Sequence, residues 1–329
     1  MNSFGRIFRV SIFGESHGES VGVVLDGVPA GIGLTEKDFA ADIARRKSGK
    51  KGTTTRKESD TPHIVSGVFN DKTTGAPLAI IFHNEDTVSD DYKNLATHPR
   101  PSHSDWVAMK KYNGFNDYRG SGHFSGRLTL GLVAAGVVAK KILKNVKFET
   151  NLVEVDGSNN PDDFPDIIDR AMKAQDSVGG IIECTVKGAG VGLGEPFFDS
   201  AESVISHALF SVPAIKGVEF GLGFGAARLR GSEHNDAINS PDGTTATNNA
   251  GGIAGGITNG NPIVVRVAVK PTASISSPQA TLNTETGKPE ELIIKGRHDA
   301  CIALRAGVVV EAAVAISLCD LTLIAKAQG

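Results

Sequence analysis

Cysteine is scarce in this sequence: the 329 residues hold three, Cys184, Cys301 and Cys319, scattered and without a C-x-x-C pair. That excludes a disulfide framework, argues against a structural zinc site and suits a reducing compartment. Aromatic residues make up only 6% of the chain. Positive charge is not in excess, with 34 Lys and Arg against 37 Asp and Glu and a net charge of −3. No global basic field is therefore present to hold nucleic acid. The opening MNSFGRIFRV lacks the apolar core of a signal peptide. The longest apolar stretches, 130–139 and 306–318, contain Gly or Glu and read as too short to span a bilayer. These absences predict a cytoplasmic protein that has neither a membrane nor a nucleic acid as partner.

What is abundant is glycine, 39 residues, many placed before apolar segments. Three pairs of segments recur in the same order, separated by about half the chain. The first pair is 25–46 and 186–209, each a strand, a Gly-rich turn and a capped helix. Thr35 with Asp38, and Asp199 with Glu202, have the spacing of capping boxes. The second pair, TTGAPLAIIF (73–82) and TNGNPIVVRV (258–267), reads as a Gly-x-Pro turn feeding a β-branched strand. The third, 125–143 and 296–318, is a Gly-Arg start followed by a long Ala/Gly-rich apolar helix that should be buried. The pattern predicts one domain over 1–329 with half-repeats at roughly 1–149 and 165–329. Its class is α+β, a β-α-β sandwich with internal pseudo-twofold duplication and a helical layer between antiparallel sheets. The stretch 150–164 reads as a loop between the halves.

Four clusters could carry chemistry. RRKSGKKGTTTRK (45–57) has seven Lys or Arg and no acid, which suits either a solvated loop or a small polyanion. HPRPSHSDW (98–106) sets Arg100 and His103 between stiffening prolines, with Asp105 placed as a helix cap. DYRGSGHFSGR (117–127) leads through glycines into a helix whose first turn carries Arg127. A cation there is unfavourable unless an anion sits beside it. KGRHDA (295–300) repeats this before the second long helix, with Asp299 as cap or as base. KPTAS (270–274) offers a lysine and small hydroxyls after a strand, and NNAGGIAGGITNG (248–260) is Gly-rich without the dinucleotide fingerprint. GESHG (14–18) formally satisfies G-x-S-x-G, but it comes far too early in the chain for a hydrolase elbow. No partner at metal-ligand spacing accompanies His17, so no metal is expected.

These segments together resemble the chorismate synthase family. FRVSIFGESHGESVGVVLDGVPAG resembles its N-terminal signature, RPSHSDW its R-P-G-H-A-D loop, DYRGSGHFSGR its D-Y-R-G-G-G-x-x-S-A-R segment and KGRHDAC its K-G-R-H-D-P-C segment. The resemblance runs in order over essentially the whole chain. It implies elimination of phosphate from 5-enolpyruvylshikimate 3-phosphate to give chorismate, with reduced FMN as cofactor and a homotetramer as the assembly. Some members also reduce flavin with NADPH, though the residues here identify no nicotinamide site. By resemblance, His17 is the acid for the leaving phosphate, His103 lies against the flavin, and Asp299 helps remove the C6 proton. Ser16, Arg46, Arg100, Arg127 and Arg297 hold substrate. The flavin rests on His123, Phe124, Ser125, Pro213, Ala214 and Gly255, on Lys270, Pro271, Thr272, Ala273 and Ser274, and on Arg297. The sequence departs from the family pattern at Gly52, where a loop Arg is usual and Lys50 or Lys51 could substitute. It departs again at Ser102 for Gly, at His123-Phe124 for Arg-Ser, and at Ala300 for Pro, and it is short around 150–165. The readings of another class, a non-catalytic flavin or polyanion binder and a nucleic-acid binder using 45–57, have less to support them.

Overall fold

The computed structural model describes residues 2–87, 94–294 and 298–328. The first sheet contains β1 (Ser3–Phe4), β2 (Arg9–Gly14), β3 (Ser20–Asp26), β4 (His63–Ser66) and, after a small hairpin of β5 (Val68–Phe69) and β6 (Lys72–Thr73), β7 (Leu78–His83). Its order is β1-β2-β3-β7-β4, antiparallel throughout. Helix α1 (Ala40–Arg46) follows β3, and α2 (Asp105–Lys111) and α3 (Thr129–Ile142) follow β7. The second sheet contains β8 (Lys147–Val155), β9 (Gly180–Lys187), β10 (Ile215–Phe220) and β13 (Ile263–Val269), in the order β10-β13-β9-β8 and again antiparallel. Between these strands run α4 (Phe164–Lys173), α5 (Ala201–Phe210), the short α6 (Gly231–His234) and the two-residue strands β11 (Ile253–Ala254) and β12 (Ile257–Thr258). A hairpin of β14 (Gln279–Leu282) and β15 (Pro289–Leu292) precedes the last helix, α7 (Ala303–Gln328).

The layers follow from the patterning. Strand β13 alternates, with Ile263, Val265, Val267 and Val269 buried and the residues between them half-buried. Helices α3 and α7 are apolar nearly all round and sit between the sheets, α3 against β2 and β3, α7 against β8 and β9, and each against the other. Their approach is close: a Cβ on Gly136 would lie 2.5 Å from the Ala312 Cβ. Inside this layer Glu311 accepts from Arg45 (3.0 and 2.7 Å), Lys140 (2.7 Å) and Thr150 (3.2 Å), tying α1, α3, α7 and β8 together. Lys140 also pairs with Asp42. Asp320 accepts the backbone N–H groups of Arg6, Ile7 and Phe8 at 2.8–2.9 Å, which pins the N-terminal segment to α7.

Three expectations are corrected. Residues 147–155 form a nine-residue strand, so the loop predicted for 150–164 shrinks to the Asp156–Gly157 turn and the approach to α4. The apolar run 306–318 is part of a 26-residue helix, long and apolar enough to cross a membrane by length and composition. In the fold, 78% of an 18-residue apolar span of that helix is buried inside the protein, and the helix's two acids are occupied as described above. The cap of α5 is Ser200, whose hydroxyl accepts from Ser203 N at 3.1 Å, while Asp199 pairs instead with Arg6. Thr35 and Asp38 do pair, the Asp38 carboxylate accepting from Thr35 N at 2.7 Å.

Candidate functional site

A cavity of about 1020 Å³ opens where the starts of α3 and α7 meet the loops after α1, before α2 and after β13. Of the predicted site residues it is lined by His103 and Asp299, by Ser16, Arg46, Arg100 and Arg127, and by His123, Phe124 and Ser125. Pro213 and Ala214 line it from the turn before β10, and Lys270, Thr272, Ala273 and Ser274 from the segment after β13. Two predicted residues are not brought to its wall. Pro271 points elsewhere within the same segment, and Gly255 is an exposed turn residue between β11 and β12. Arg297 lies outside the described residues. His17 stands behind the wall, its ring over Gly120, where an added Cβ would lie 2.6 Å from Nε2. That glycine lets the ring approach the backbone.

Around His17 the charges conflict. Burial lowers its pKa below the ordinary histidine value, Arg56 and Arg119 push the same way, and Asp117 and Glu58 oppose them. Ser16 is fully buried and its hydroxyl accepts from Arg56 Nη1 at 2.9 Å, so it is not a free nucleophile. Arg56 itself is held by Glu58 at 2.6 Å.

Arg100 grips Asp105 through Nε and Nη2, both at 2.7 Å, and reaches Ser274 and Ser121 at 2.9 Å each. His103 Nδ1 lies 2.8 Å from the same Asp105 carboxylate. Asp105 is therefore not the helix cap: Ser104 occupies the cap position of α2. Burial works against the Asp105 charge, but Arg100 and His103 outweigh it and hold its carboxyl far below the usual range. Burial lowers the His103 pKa, with Arg100 and Lys270 adding to it against Asp105.

Arg46 and Arg127 sit at the start of α3 and are both buried. Arg46 donates to the Gly126 carbonyl at 2.9 Å and Thr129 Oγ1 at 3.0 Å. Arg127 donates to Asp60 and, at 2.9 Å, to Asn84 Oδ1. Asp60, 3.6 Å from Arg46, is the anion that the Arg127 position demanded. Burial, with Arg305 and Arg127 nearby, pulls the Arg46 pKa down to about 9, so it still carries its proton at neutral pH. Asp299 is bound by both nitrogens of Arg305 (2.9 and 2.7 Å) and by Thr54 N–H (2.9 Å).

The departures at Gly52 and Ala300 fit each other. Ala300 N–H donates to the Gly52 carbonyl at 2.8 Å, a bond that proline could not make. Gly52 has φ +88°, and a Cβ there would lie 2.5 Å from Ile168 Cγ2. No arginine fits that position. Lys51 does not replace one at the cavity, since it pairs with Asp169 on α4 at 2.5 Å, and Lys50 does not line the cavity either. Arg56, with Lys47 and Lys57, supplies the loop's charge there. His123 Nδ1 lies 2.8 Å from the Gly14 carbonyl, and Phe124 stands beside Tyr112 with ring centroids 6.2 Å apart. Sequence reasoning missed Arg56, Asp60, Ser121 and Arg305. The first lay unsingled in the basic run. Arg305 repeats the Arg127 signal, a cation in the first turn of an apolar helix. Among the described residues no group of three His, Cys, Asp or Glu side chains is placed to hold a metal.

The profile of the chorismate synthase family matches residues 8–323. A chorismate synthase of Chitinophaga pinensis is 62% identical over 328 residues, covering 98% of this chain and 97% of that protein. One of Thermococcus kodakarensis is 45% identical over 342 residues, covering 96% of each. A crystal structure of chorismate synthase superposes with a TM-score of 0.75 at 30% identity, over 98% of this chain and 93% of that one.

Proposed function

The chain belongs to the chorismate synthase family, and from that premise we propose how its own residues divide the work. The reaction is the family's: 5-enolpyruvylshikimate 3-phosphate loses phosphate from C3 and a hydrogen from C6 and becomes chorismate, which makes the protein a carbon–oxygen lyase of aromatic amino acid biosynthesis. The observation that carries the assignment of residues is convergence. His103, Asp299 and buried arginines from segments spread over the chain meet at one cavity, with His17 behind its wall.

The cavity suits reduced FMN together with the substrate. Its volume, about 1020 Å³, is at the upper end of what single ligands need. Leu132, Ile302, Val309 and Ile316 are among its apolar lining, as a flat ring system requires, and cationic, hydroxylic and carboxylate side chains line it as well. Ser125, Thr272 and Ser274, with Lys270, would hold the ring edge and phosphate, beside His123, Phe124, Pro213, Ala214 and Ala273. Gly255 lies away from this wall and can take part only by contact from outside the cavity. Reduced FMN, when bound, lends electron density to the reacting carbons with no net oxidation or reduction.

Arg46, Arg56 and Arg127 form the cationic end, where the phosphate leaves with the C–O bonding pair. His17 gives that phosphate a proton. The anion raises the depressed His17 pKa, so the acid is charged when substrate is present. Asp299 takes part in removing the C6 proton, whose bonding pair becomes the new ring double bond. Its carboxylate retains acceptor sites beyond those that Arg305 and Thr54 occupy. Arg100 is committed to Asp105 and acts by holding the His103 loop.

We further infer one domain built by duplication. Strands β2, β3, β4 and β7 and strands β8, β9, β10 and β13 occur in the same chain order and the same sheet order, with a helix after each second and fourth strand. This supports a pseudo-twofold relation, with the second half starting at β8 and α4 as an insertion. Exposed Phe197, Phe198 and Phe224 support burial in a homotetramer, and three free buried cysteines support a cytoplasmic location. The flavin is taken up already reduced, a reading supported by a sequence in which no dinucleotide fingerprint is identified. The test is anaerobic: protein, reduced FMN and substrate, reading chorismate absorbance and phosphate release. Both ligands bound without product would overturn the reading.

A further inference from the structure

Ser121 is the residue of the cavity wall that neither motif nor mechanism has absorbed. Its φ is +69°, a left-handed conformation that glycine adopts freely and serine rarely. The motif this segment resembles has glycine there. The side chain kept at that backbone position touches two site residues: Ser121 Oγ lies 2.9 Å from Arg100 Nη2 and 3.5 Å from His103 Nε2.

The direction of each hydrogen bond follows from what each group can do. Arginine only donates, so Ser121 Oγ accepts from Arg100. An ionised carboxylate only accepts, so His103 Nδ1 carries the hydrogen shared with Asp105 Oδ1, with Ser104 Oγ at 3.3 Å as a second neighbour. The Ser121 hydroxyl hydrogen is then free to point at His103 Nε2. The groups close a ring: Arg100 donates to Asp105 and Ser121, His103 donates to Asp105, and Ser121 donates to His103. The charged groups that act on His103 are Asp105 from α2, Arg100 from its own loop and Lys270 from the segment after β13.

We propose that Ser121 and Asp105 are positioning residues that hold His103 as the neutral Nδ1–H tautomer, with an unprotonated Nε2 that accepts from the Ser121 hydroxyl. His103 then carries no hydrogen on Nε2 and cannot donate through it; it accepts there, from Ser121 in the free protein. The proposal rests on the resemblance that sets His103 against the reduced flavin, where the ring would govern flavin protonation. In apo sites such contacts are often long and tighten on binding, as the 3.5 Å separation here allows.

The first test uses flavin-free protein labelled with 15N-histidine. The imidazole nitrogens of His103, assigned by a His103→Gln variant, should report hydrogen on Nδ1 and none on Nε2. A hydrogen bond donated to Nε2 favours the neutral ring, so removing it raises the pKa. Ser121→Gly suits the +69° backbone and should raise the His103 titration midpoint by about half a pH unit. Asp105→Asn should lower the midpoint and mix the tautomers, and Ser121→Gly carries the test if that variant does not fold. An Nε2–H tautomer in the parent protein, or a midpoint unmoved by Ser121→Gly, overturns the proposal. Turnover with reduced FMN separates the two levels. The Ser121→Gly pH profile should move with the midpoint. A moved midpoint with an unmoved profile upholds the ring and refutes the role of His103 at the flavin.

Discussion

Gly52→Ala probes how the basic loop is held over the site. At φ +88° an L-residue is strained by about 1–2 kcal/mol. The new methyl would also lie 2.5 Å from Ile168 Cγ2 and 3.2 Å from Leu304 Cδ1, an overpacking cost of roughly 1–3 kcal/mol. Keeping the loop in place therefore costs about 2–5 kcal/mol. Releasing it forfeits the Ala300 N–H bond to Gly52 and the Thr54 N–H bond to the Asp299 carboxylate. Those are worth about 1 kcal/mol and about 1.5–3 kcal/mol respectively, so the two outcomes are close in energy. The variant should lose stability by about 2–4 kcal/mol in urea, and the segment 49–57 should become sensitive to protease. Turnover should fall because Asp299 loses a backbone donor. The steric part is isolated by a double-mutant cycle with Ile168→Ala, which removes Cγ2. The pair should be less destabilised than the sum of the singles by about 1–3 kcal/mol. Strict additivity, with the loop still protected, would show that Gly52 does not pack on Ile168 and would refute the latch.

Glu311→Gln should cost about 3 kcal/mol, read as a lower urea midpoint, because Arg45 and Lys140 lose their shared buried anion. Arg305→Lys should lower kcat by at least about tenfold with little change in KM, since lysine cannot hold both Asp299 oxygens; an unchanged kcat would remove Arg305 from the site. His17 is neutral at neutral pH in the free protein because its folded pKa lies below the ordinary value. Anion binding should therefore take up a proton and weaken as pH rises. Calorimetry with sulfate in two buffers of different protonation heat checks this, and His17→Gln should abolish the difference. The stability sign is the opposite of an ion-paired histidine: the contribution is full above the unfolded pKa of about 6.5 and is lost as pH falls through it toward the folded value.

Much of the site was legible because its chemistry clusters locally. The Arg100–His103, Gly120–Arg127 and Lys270–Ser274 segments each offered side chains that could carry chemistry, with a plain turn or loop as the other reading, and residues of each line the cavity. The two misread helix caps share one cause. Asp105 and Asp199 have cap spacing, yet each is claimed by an arginine, and a neighbouring serine takes the cap position instead. Local spacing shows what a side chain can do to its own turn, not which distant charge will compete for it.

The sequence by itself determined the all-round apolar helices and strands such as β7 and β13, though not β8, whose residues read as a loop. Those depend on side-chain period and backbone preference, which are local. Only the tertiary structure decided that Arg100 answers to Asp105, that Asp60 neutralises Arg127, and that Thr54 reaches Asp299 across 245 residues of sequence. A buried charge is stable only beside a partner, and which partner it meets depends on how the two sheets clasp the helices between them.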